Sequence, residues 1–146
     1  MRHRVAGRKL TRDTQHRTAL RRNMVRALLI NGRVVTTQAK AKAIRPYVEK
    51  LITRARKAAA LKASGTKEDR QAYVHQVRLL AREVPDRKLL SLLVDVVGPM
   101  CQDRPGGYTR ILRDAKNRLG DNAPRVIFEF VDRAETDDEG DDSTEE

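Results

Sequence analysis

The 146-residue sequence has no tryptophan, three tyrosines, two phenylalanines and a single cysteine. One cysteine cannot form an intramolecular disulfide, which fits a reducing compartment such as the cytoplasm. So few aromatic residues exclude the aromatic sheet motif with which many proteins stack single-stranded RNA bases. The sequence contains no apolar run of about 18 residues and no apolar signal-peptide core, so we expect neither a membrane span nor export.

Residue patterns that carry catalysis or bind metal ions are also missing. The three histidines, at positions 3, 16 and 75, match no metal-ligand spacing. The paired glycines of "PGGYTR" lack the Gly-Lys-Ser/Thr of a phosphate-binding loop, and Cys101 has no histidine near it in sequence. The acids are scattered among bases that keep them ionised. We therefore predict a protein that is not an enzyme and has no metal, cofactor or small-molecule substrate.

Positive charge, by contrast, is abundant and unevenly distributed. The chain has 31 Lys and Arg against 20 Asp and Glu, a formal net charge of +11. Residues 133–146 contain eight acids and one base, so the rest of the chain carries +18. Residues 1–22 alone contain seven arginines, one lysine and one acid. Because the planar guanidinium group suits bidentate phosphate contacts and stacking on bases, this composition favours a nucleic acid as the partner.

Hydrophobic periodicity predicts one α+β domain over residues 14–132, after an extended basic arm over 1–13 and before a disordered acidic tail over 133–146. About four helices are expected. The first begins at Thr14, a candidate N-cap, and ends at "NG" 31–32; its apolar stripe leaves Arg22 and Arg26 on the opposite side, with Arg17 and Arg21 flanking it.

The second helix is predicted from residue 37 or 38 to about 62, with either a kink at Pro46 or a start near Arg45. A third follows "SGT" 64–66, with Thr66 as its cap, and ends before Pro85. Segment 86–99 is apolar on nearly every side, so we expect a helix at the centre of the core, stopped by "GP" at 98–99. Strands are predicted at 33–37, 108–113 and 125–131, in a small three-stranded mixed or antiparallel sheet covered by helices on one side.

The residues alone favour RNA over DNA. No zinc-finger spacing, no heptad repeat behind a basic helix and no helix-turn-helix pattern is present. An extended arginine arm on a small body suits the irregular cavities of a folded RNA, where many phosphate contacts offset the cost of ordering the arm. The alternative is a histone-like or regulatory DNA-binding protein. For the scattered lysines of the second helix, a solvated face is the other interpretation.

Short blocks across the chain resemble the bacterial large-ribosomal-subunit protein seventeen family. They are "MRHR" at 1–4, "GRKL" at 7–10, "HR.AL.RNM" at 16–24, "TT..KAK" at 36–42, "EKLIT.A" at 49–55, "GGYTRI" at 106–111, "GDNAP" at 120–124 and "E.VD" at 129–132. They follow the family's order over residues 1–132. Residues 60–85 and the acidic tail depart from its pattern, which leaves open any protein contact that they make.

The resemblance implies an α/β fold with a short three-stranded sheet and a structural role in the large ribosomal subunit, in the cytoplasm. It further implies binding to large-subunit ribosomal RNA near the exit of the nascent-chain tunnel, beside neighbouring ribosomal proteins and away from any membrane. The candidate RNA-binding residues in matched blocks are Arg2, His3, Arg4, Arg8, Lys9, His16, Arg17, Arg22, Lys40 and Lys42. Arg12 and Arg21, from the same basic region, are added, and Tyr108, Thr109 and Arg110 form a further set. For Tyr108, packing within the sheet is the alternative.

Overall fold

The computed structural model describes residues 7–132, which fold as an α+β domain. Its elements are α1 (Thr14–Asn31), β1 (Arg33–Thr37), α2 (Gln38–Ser64), α3 (Lys67–Glu83), α4 (Arg87–Leu92), a π-helical segment (Leu93–Val97), α5 (Gly98–Met100), β2 (Thr109–Arg113) and β3 (Arg125–Phe130). The predicted fold class is confirmed. The first six residues of the expected arm and the expected acidic tail, 133–146, lie outside the described residues.

The sheet is antiparallel throughout, with strand order β1-β3-β2. The central strand, β3, places Phe128 opposite Val34 on one side and Ile111 on the other. Because side chains alternate along a strand, the buried Val126, Phe128 and Phe130 face the helices, and Ile127 and Glu129 lie on the outer face. The two late strands, β2 and β3, pair antiparallel, and "RVVTT" (β1) pairs with β3 as the third strand, as predicted.

Helix α2 is the centre of the helical layer. Its buried residues are Ala41, Ile44, Val48, Leu51, Ile52, Ala55 and Ala58, a continuous apolar stripe. The helix already begins at Gln38 and contains Pro46, so the predicted start near Arg45 is wrong, while a kink stays a prediction. On one side of this stripe pack α3 and the segment 87–100, and on the other lies the sheet.

The predicted stop at Gly98-Pro99 is wrong, because the chain stays helical through Met100. Gly98 donates its N–H to Leu93 O, one residue further back than in an α-helix, and Pro99, which follows it, has no N–H with which to continue this pattern. A Cβ at Gly98 would lie 3.0 Å from Ala55 O of α2. Glycine is needed here for close packing rather than for a turn.

Three smaller expectations about the segment ends and the core are also revised. The cap of α1 is Asp13, which accepts from His16 N at 2.8 Å, and Thr14 is the first helical residue. Residues 9–12 form a turn, closed by Arg12 N and Lys9 O at 3.3 Å, so this part of the predicted arm is not extended. Segment 86–99 is not buried all round, since Val96 is 48% exposed. The predicted Thr66 cap of α3 is confirmed, with Asp69 N as its donor.

Candidate nucleic-acid interface

Helix α1 separates an apolar side from a basic one. Val25, Leu28 and Leu29 are buried against the core, which fixes the rotation of the helix about its axis. Arg22 and Arg26 are consequently exposed, with Arg22 at the edge of the buried side, seven residues before Leu29. The 18 residues of the helix include no Asp or Glu, so no acid of α1 itself neutralises this surface.

The α1 arginines are held in place by neutral groups rather than by carboxylates. Arg17 donates to Arg12 O at 2.7 Å and to Thr14 Oγ1 at 3.1 Å. Arg22 donates to the backbone oxygen of Arg82, at the end of α3, at 3.0 Å. These contacts restrict the side chains without cancelling their charge, and most donors of each guanidinium fork remain available for an anion.

Arg21 is held by an aromatic ring. Its guanidinium carbon lies 5.5 Å from the ring centroid of Tyr47 on α2, a cation–π distance. The Tyr47 hydroxyl donates to Glu83 Oε2 at 2.6 Å, which ties α2 to the end of α3. Burial, and then the hydrogen bond and charge of Glu83, raise the pKa of Tyr47 well above its usual range. The phenol therefore stays neutral and serves as a fixed support for Arg21.

The ion pairs formed among residues 7–132 all use cations outside α1. They are Lys62–Asp95, Arg104–Asp132, Arg110–Glu129, Arg118–Asp121 and Arg125–Asp114. Within residues 7–132, no carboxylate therefore offsets the positive charge of the α1 arginines in an ion pair. The positive electrostatic field of arginines without ion-pair partners attracts a polyanion more strongly than it attracts a protein whose surface has few acidic groups.

The remaining candidate cations occupy several places. Arg8, Lys9 and His16 are exposed near the start of α1, where the Arg12 guanidinium contacts the His16 ring. Lys42 is exposed on α2, Lys40 is half-buried in the first turn of that helix, and Arg110 is exposed on the outer face of the sheet, 2.6 Å from Glu129. The candidates at positions 2–4 lie outside the described residues. Arg12, His16 and Arg17 contact one another at the start of α1. Arg21 and Arg22 lie further along the helix, against α2 and α3, and Arg110 does not join them.

Tyr108 and Thr109 belong to the core, each 1% exposed. Glu49 of α2 accepts from Tyr108 N at 3.1 Å, from Thr109 N at 3.0 Å and from Thr109 Oγ1 at 2.6 Å. The packing alternative for Tyr108 is therefore what the structure shows. A direct RNA contact by these two side chains stays a prediction without an exposed surface to support it. Sequence reasoning missed the role of Glu49, although a lone acid in the apolar stripe "YVEKLI" was a usable signal.

No catalytic arrangement emerges around the one cysteine. Cys101 is 1% exposed. Burial, and then the charge of Asp132, raise the pKa of its thiol to about 11, so it is protonated at neutral pH and a poor nucleophile. Within residues 7–132, no group of three or more His, Cys, Asp and Glu side chains is placed to hold a metal ion. No helix in the same range is long and apolar enough to cross a membrane.

Fold and surface together define a basic α+β protein in which helices pack against a three-stranded antiparallel sheet. The family model for ribosomal protein L17 matches residues 20–131, which covers α1 from Leu20 onward and the complete sheet. The chain belongs to the ribosomal protein L17 family, a family of structural ribosomal proteins and not of enzymes. The family predicted from the short sequence blocks is confirmed.

Relatives named "Large ribosomal subunit protein bL17" align with nearly the whole chain. The one from Anaeromyxobacter sp. (strain Fw109-5) is 44% identical over 140 residues, 96% of this chain and 74% of the relative. The protein of Syntrophotalea carbinolica is 42% identical over 132 residues, 90% of this chain and 76% of the relative. That of Thermus thermophilus is 41% identical over 132 residues, 90% of this chain and 100% of the relative.

Proposed function

We propose that this protein is a structural component of the large ribosomal subunit of a bacterium, and that α1 and the basic segment before it bind large-subunit ribosomal RNA. The name of the relatives, large ribosomal subunit protein bL17, supports the first part. The observation that carries the second is the set of α1 arginines that are positioned by backbone carbonyls and an aromatic ring and lack carboxylate partners in the described chain. The site of action is the ribosome in the cytoplasm.

Arginines whose side chains are positioned by neutral groups suit the phosphates of a folded RNA. Each guanidinium presents a planar pair of donors that matches two phosphate oxygens. Side chains that are already restrained lose less conformational entropy on binding than free ones. Every phosphate neutralised also releases condensed counterions, so the affinity depends steeply on salt, with a logarithmic slope of roughly −0.7 to −0.9 per contact.

A paired substitution tests this surface. In Arg22→Gln/Arg26→Gln, two exposed cations of α1 are removed and its buried residues are kept, although the contact of Arg22 with Arg82 O is lost as well. Arg70→Gln/Arg78→Gln removes the same charge from exposed positions on α3 and is the matched control. We expect the α1 variant to weaken binding to large-subunit ribosomal RNA fragments and to reduce the salt slope by roughly 1.5, at about 0.7 to 0.9 per lost contact. The control should change both quantities less.

The competing DNA-binding function has a separate readout. We expect fluorescence anisotropy at physiological salt to show tighter binding to ribosomal RNA fragments than to duplex DNA of equal length. Equal affinity for the two nucleic acids, or equal losses in the two double variants, would contradict the proposal. Tight co-sedimentation with large subunits through a high-salt gradient is also expected.

The proposed position is near the nascent-chain tunnel exit, beside neighbouring ribosomal proteins. The resemblance of the short sequence blocks to the family supports this location on the subunit. Cross-linking of purified large subunits, followed by mass spectrometry, tests it directly. We expect cross-links from exposed lysines, such as Lys57 and Lys67, to proteins at the tunnel rim. Cross-links confined to proteins of the subunit interface would refute the placement.

A further inference from the structure

The loop between β2 and β3, residues 114–124, holds an apolar side chain in solvent. Leu119 is 97% exposed, far more than any other large apolar residue that the structure describes. It is also the one large apolar residue in a loop that otherwise consists of polar, charged and small residues and a proline. A leucine this exposed gains nothing from the fold of the free protein, since the hydrophobic effect favours its removal from water.

The loop is shaped so that Leu119 stays at its apex. Arg118 N donates to Ala123 O at 3.0 Å, and Asn117 Nδ2 donates to Asn122 Oδ1 at 3.0 Å, so the two arms are joined on either side of the leucine. Arg118 also forms an ion pair with Asp121. Gly120, with φ +100°, provides the left-handed conformation that the turn needs. Leu119 is therefore presented by a closed loop rather than left on a loose one.

Basic clefts lie beside this apex. One, of about 390 Å³, is lined by Val35, Thr36, Thr37, Lys40, Arg118 and Arg125. A second, of about 620 Å³, runs along the loop and adds Lys116. The nearby acids are already engaged, since Asp121 pairs with Arg118 and Asp114 pairs with Arg125 at 3.1 Å. The cations Lys40 and Lys116 thus leave these clefts with a net positive charge, which suits a phosphate.

We infer that the loop of residues 114–124, which includes Lys116, forms with Lys40 a second RNA-binding element in which Leu119 packs on an unstacked base or its ribose. The inference rests on the proposed function and extends it to a new site. Unstacked bases occur at bulges and loops of RNA, where their faces are open to an apolar side chain and their edges to amides such as those of Asn117 and Asn122. A protein partner fits less well, because one isolated leucine among cations is a small apolar contact.

The second element lies on the same part of the fold as the α1 surface. Lys40 lines the cleft, and Tyr47, which supports Arg21, is seven residues further along α2. Residues seven apart are almost two turns apart, so both lie on one face of the helix, about 10 Å from each other along its axis. One folded RNA segment is therefore able to contact both.

Two changes with different salt signatures test the inference on the full-length protein, with large-subunit ribosomal RNA fragments as the probe. Leu119→Ser should weaken binding about 3- to 10-fold without altering the salt slope, because the lost contact is uncharged. Lys40→Gln/Lys116→Gln should reduce the slope by roughly 1.5, at about 0.7 to 0.9 per lost phosphate contact. The controls are Val74→Ser and Lys67→Gln, at exposed positions of α3 outside the loop and its clefts.

The outcomes separate this inference from the proposed function. Chemical probing should show a group of RNA nucleotides whose protection is lost in Leu119→Ser and kept in Arg22→Gln/Arg26→Gln. If both loop variants bind like the wild type and only the α1 variant is weakened, the second element is wrong and the proposed function stands. If the wild type does not prefer ribosomal RNA to duplex DNA, the proposed function fails and this inference fails with it. Normal RNA binding by Leu119→Ser, combined with weaker retention on large subunits, would assign the loop to a protein partner and overturn the RNA contact.

Discussion

The most demanding test of the fold is the removal of Glu49. This one carboxylate, on α2, accepts from Tyr108 N at 3.1 Å, from Thr109 N at 3.0 Å and from Thr109 Oγ1 at 2.6 Å. These contacts attach the first residue of β2 to the central helix. In Glu49→Ala, the two amides and the hydroxyl lose their acceptor, and Thr109 is too deeply buried to be solvated in its place.

The size of the loss follows from the kind of hydrogen bond. A hydrogen bond to a charged group contributes about 1.5 to 3 kcal/mol, and removal of one partner adds the cost of leaving the other unsatisfied. The three bonds share one acceptor group and are not additive, so we expect Glu49→Ala to lose about 3 to 5 kcal/mol. That is a large part of the roughly 5 to 15 kcal/mol by which domains are stable.

Glu49→Gln provides an internal calibration. The amide oxygen of glutamine can still accept from Thr109, whereas its NH₂ group cannot accept from Tyr108 N. One bond is lost and the charge is removed, so we expect a loss of about 1 to 2 kcal/mol. Urea denaturation followed by circular dichroism measures both variants, with Glu68→Ala, an exposed acid in the first turn of α3, as the control. If Glu49→Ala unfolds at the same urea concentration as the control, the argument that Glu49 anchors β2 is refuted.

Three further predictions concern other buried positions. Burial raises the pKa of Tyr47 above its ordinary value of 10.0, so above about pH 10 the folded state keeps a proton that the unfolded chain loses. The free energy of unfolding should therefore fall above about pH 10. Urea midpoints measured from about pH 9 to 11 should show this fall, and Tyr47→Phe should remove the part that Tyr47 causes. Cys101, with a pKa of about 11, should resist iodoacetamide at about pH 8 until denaturant is added, and mass spectrometry would reveal early modification if this is wrong. Gly98→Ala would place a Cβ 3.0 Å from Ala55 O and should cost about 1 to 3 kcal/mol in thermal unfolding, whereas Gly106→Ala meets nothing within 4 Å and should be close to neutral.

Much of the fold could be predicted because its signals are local. The period-2 pattern of β3 and the helical stripe of α2 each identify their element within a few residues. The exposure of Arg22 and Arg26 was predictable for the same reason, since neither belongs to the apolar stripe of α1. Local periodicity therefore gives both the elements and the side of α1 that faces outward.

What could not be predicted depends on contacts between distant parts of the chain. Gly98 looks like a helix stop in sequence, and only its packing on Ala55 explains why the helix passes through it. The block "GGYTR" resembles a binding motif, yet its Tyr108 and Thr109 are attached to Glu49, about 60 residues earlier. The exposure of Leu119 likewise follows from the closed shape of its loop rather than from its sequence neighbours.

The distribution of acids explains how so basic a protein folds and still keeps a charged surface. Residues 7–132 contain 12 acids, and the ones with structural partners serve as helix caps, as acceptors for backbone N–H and hydroxyl groups, or as ion-pair partners away from α1. Where α1 needs support, the fold uses carbonyl oxygens and the ring of Tyr47. Carbonyls and a ring orient a guanidinium group without neutralising it, so the charge of these arginines can still interact with an anion outside the protein. Under the proposed function, the positive charge of α1 is the part of the interface that meets the RNA phosphates.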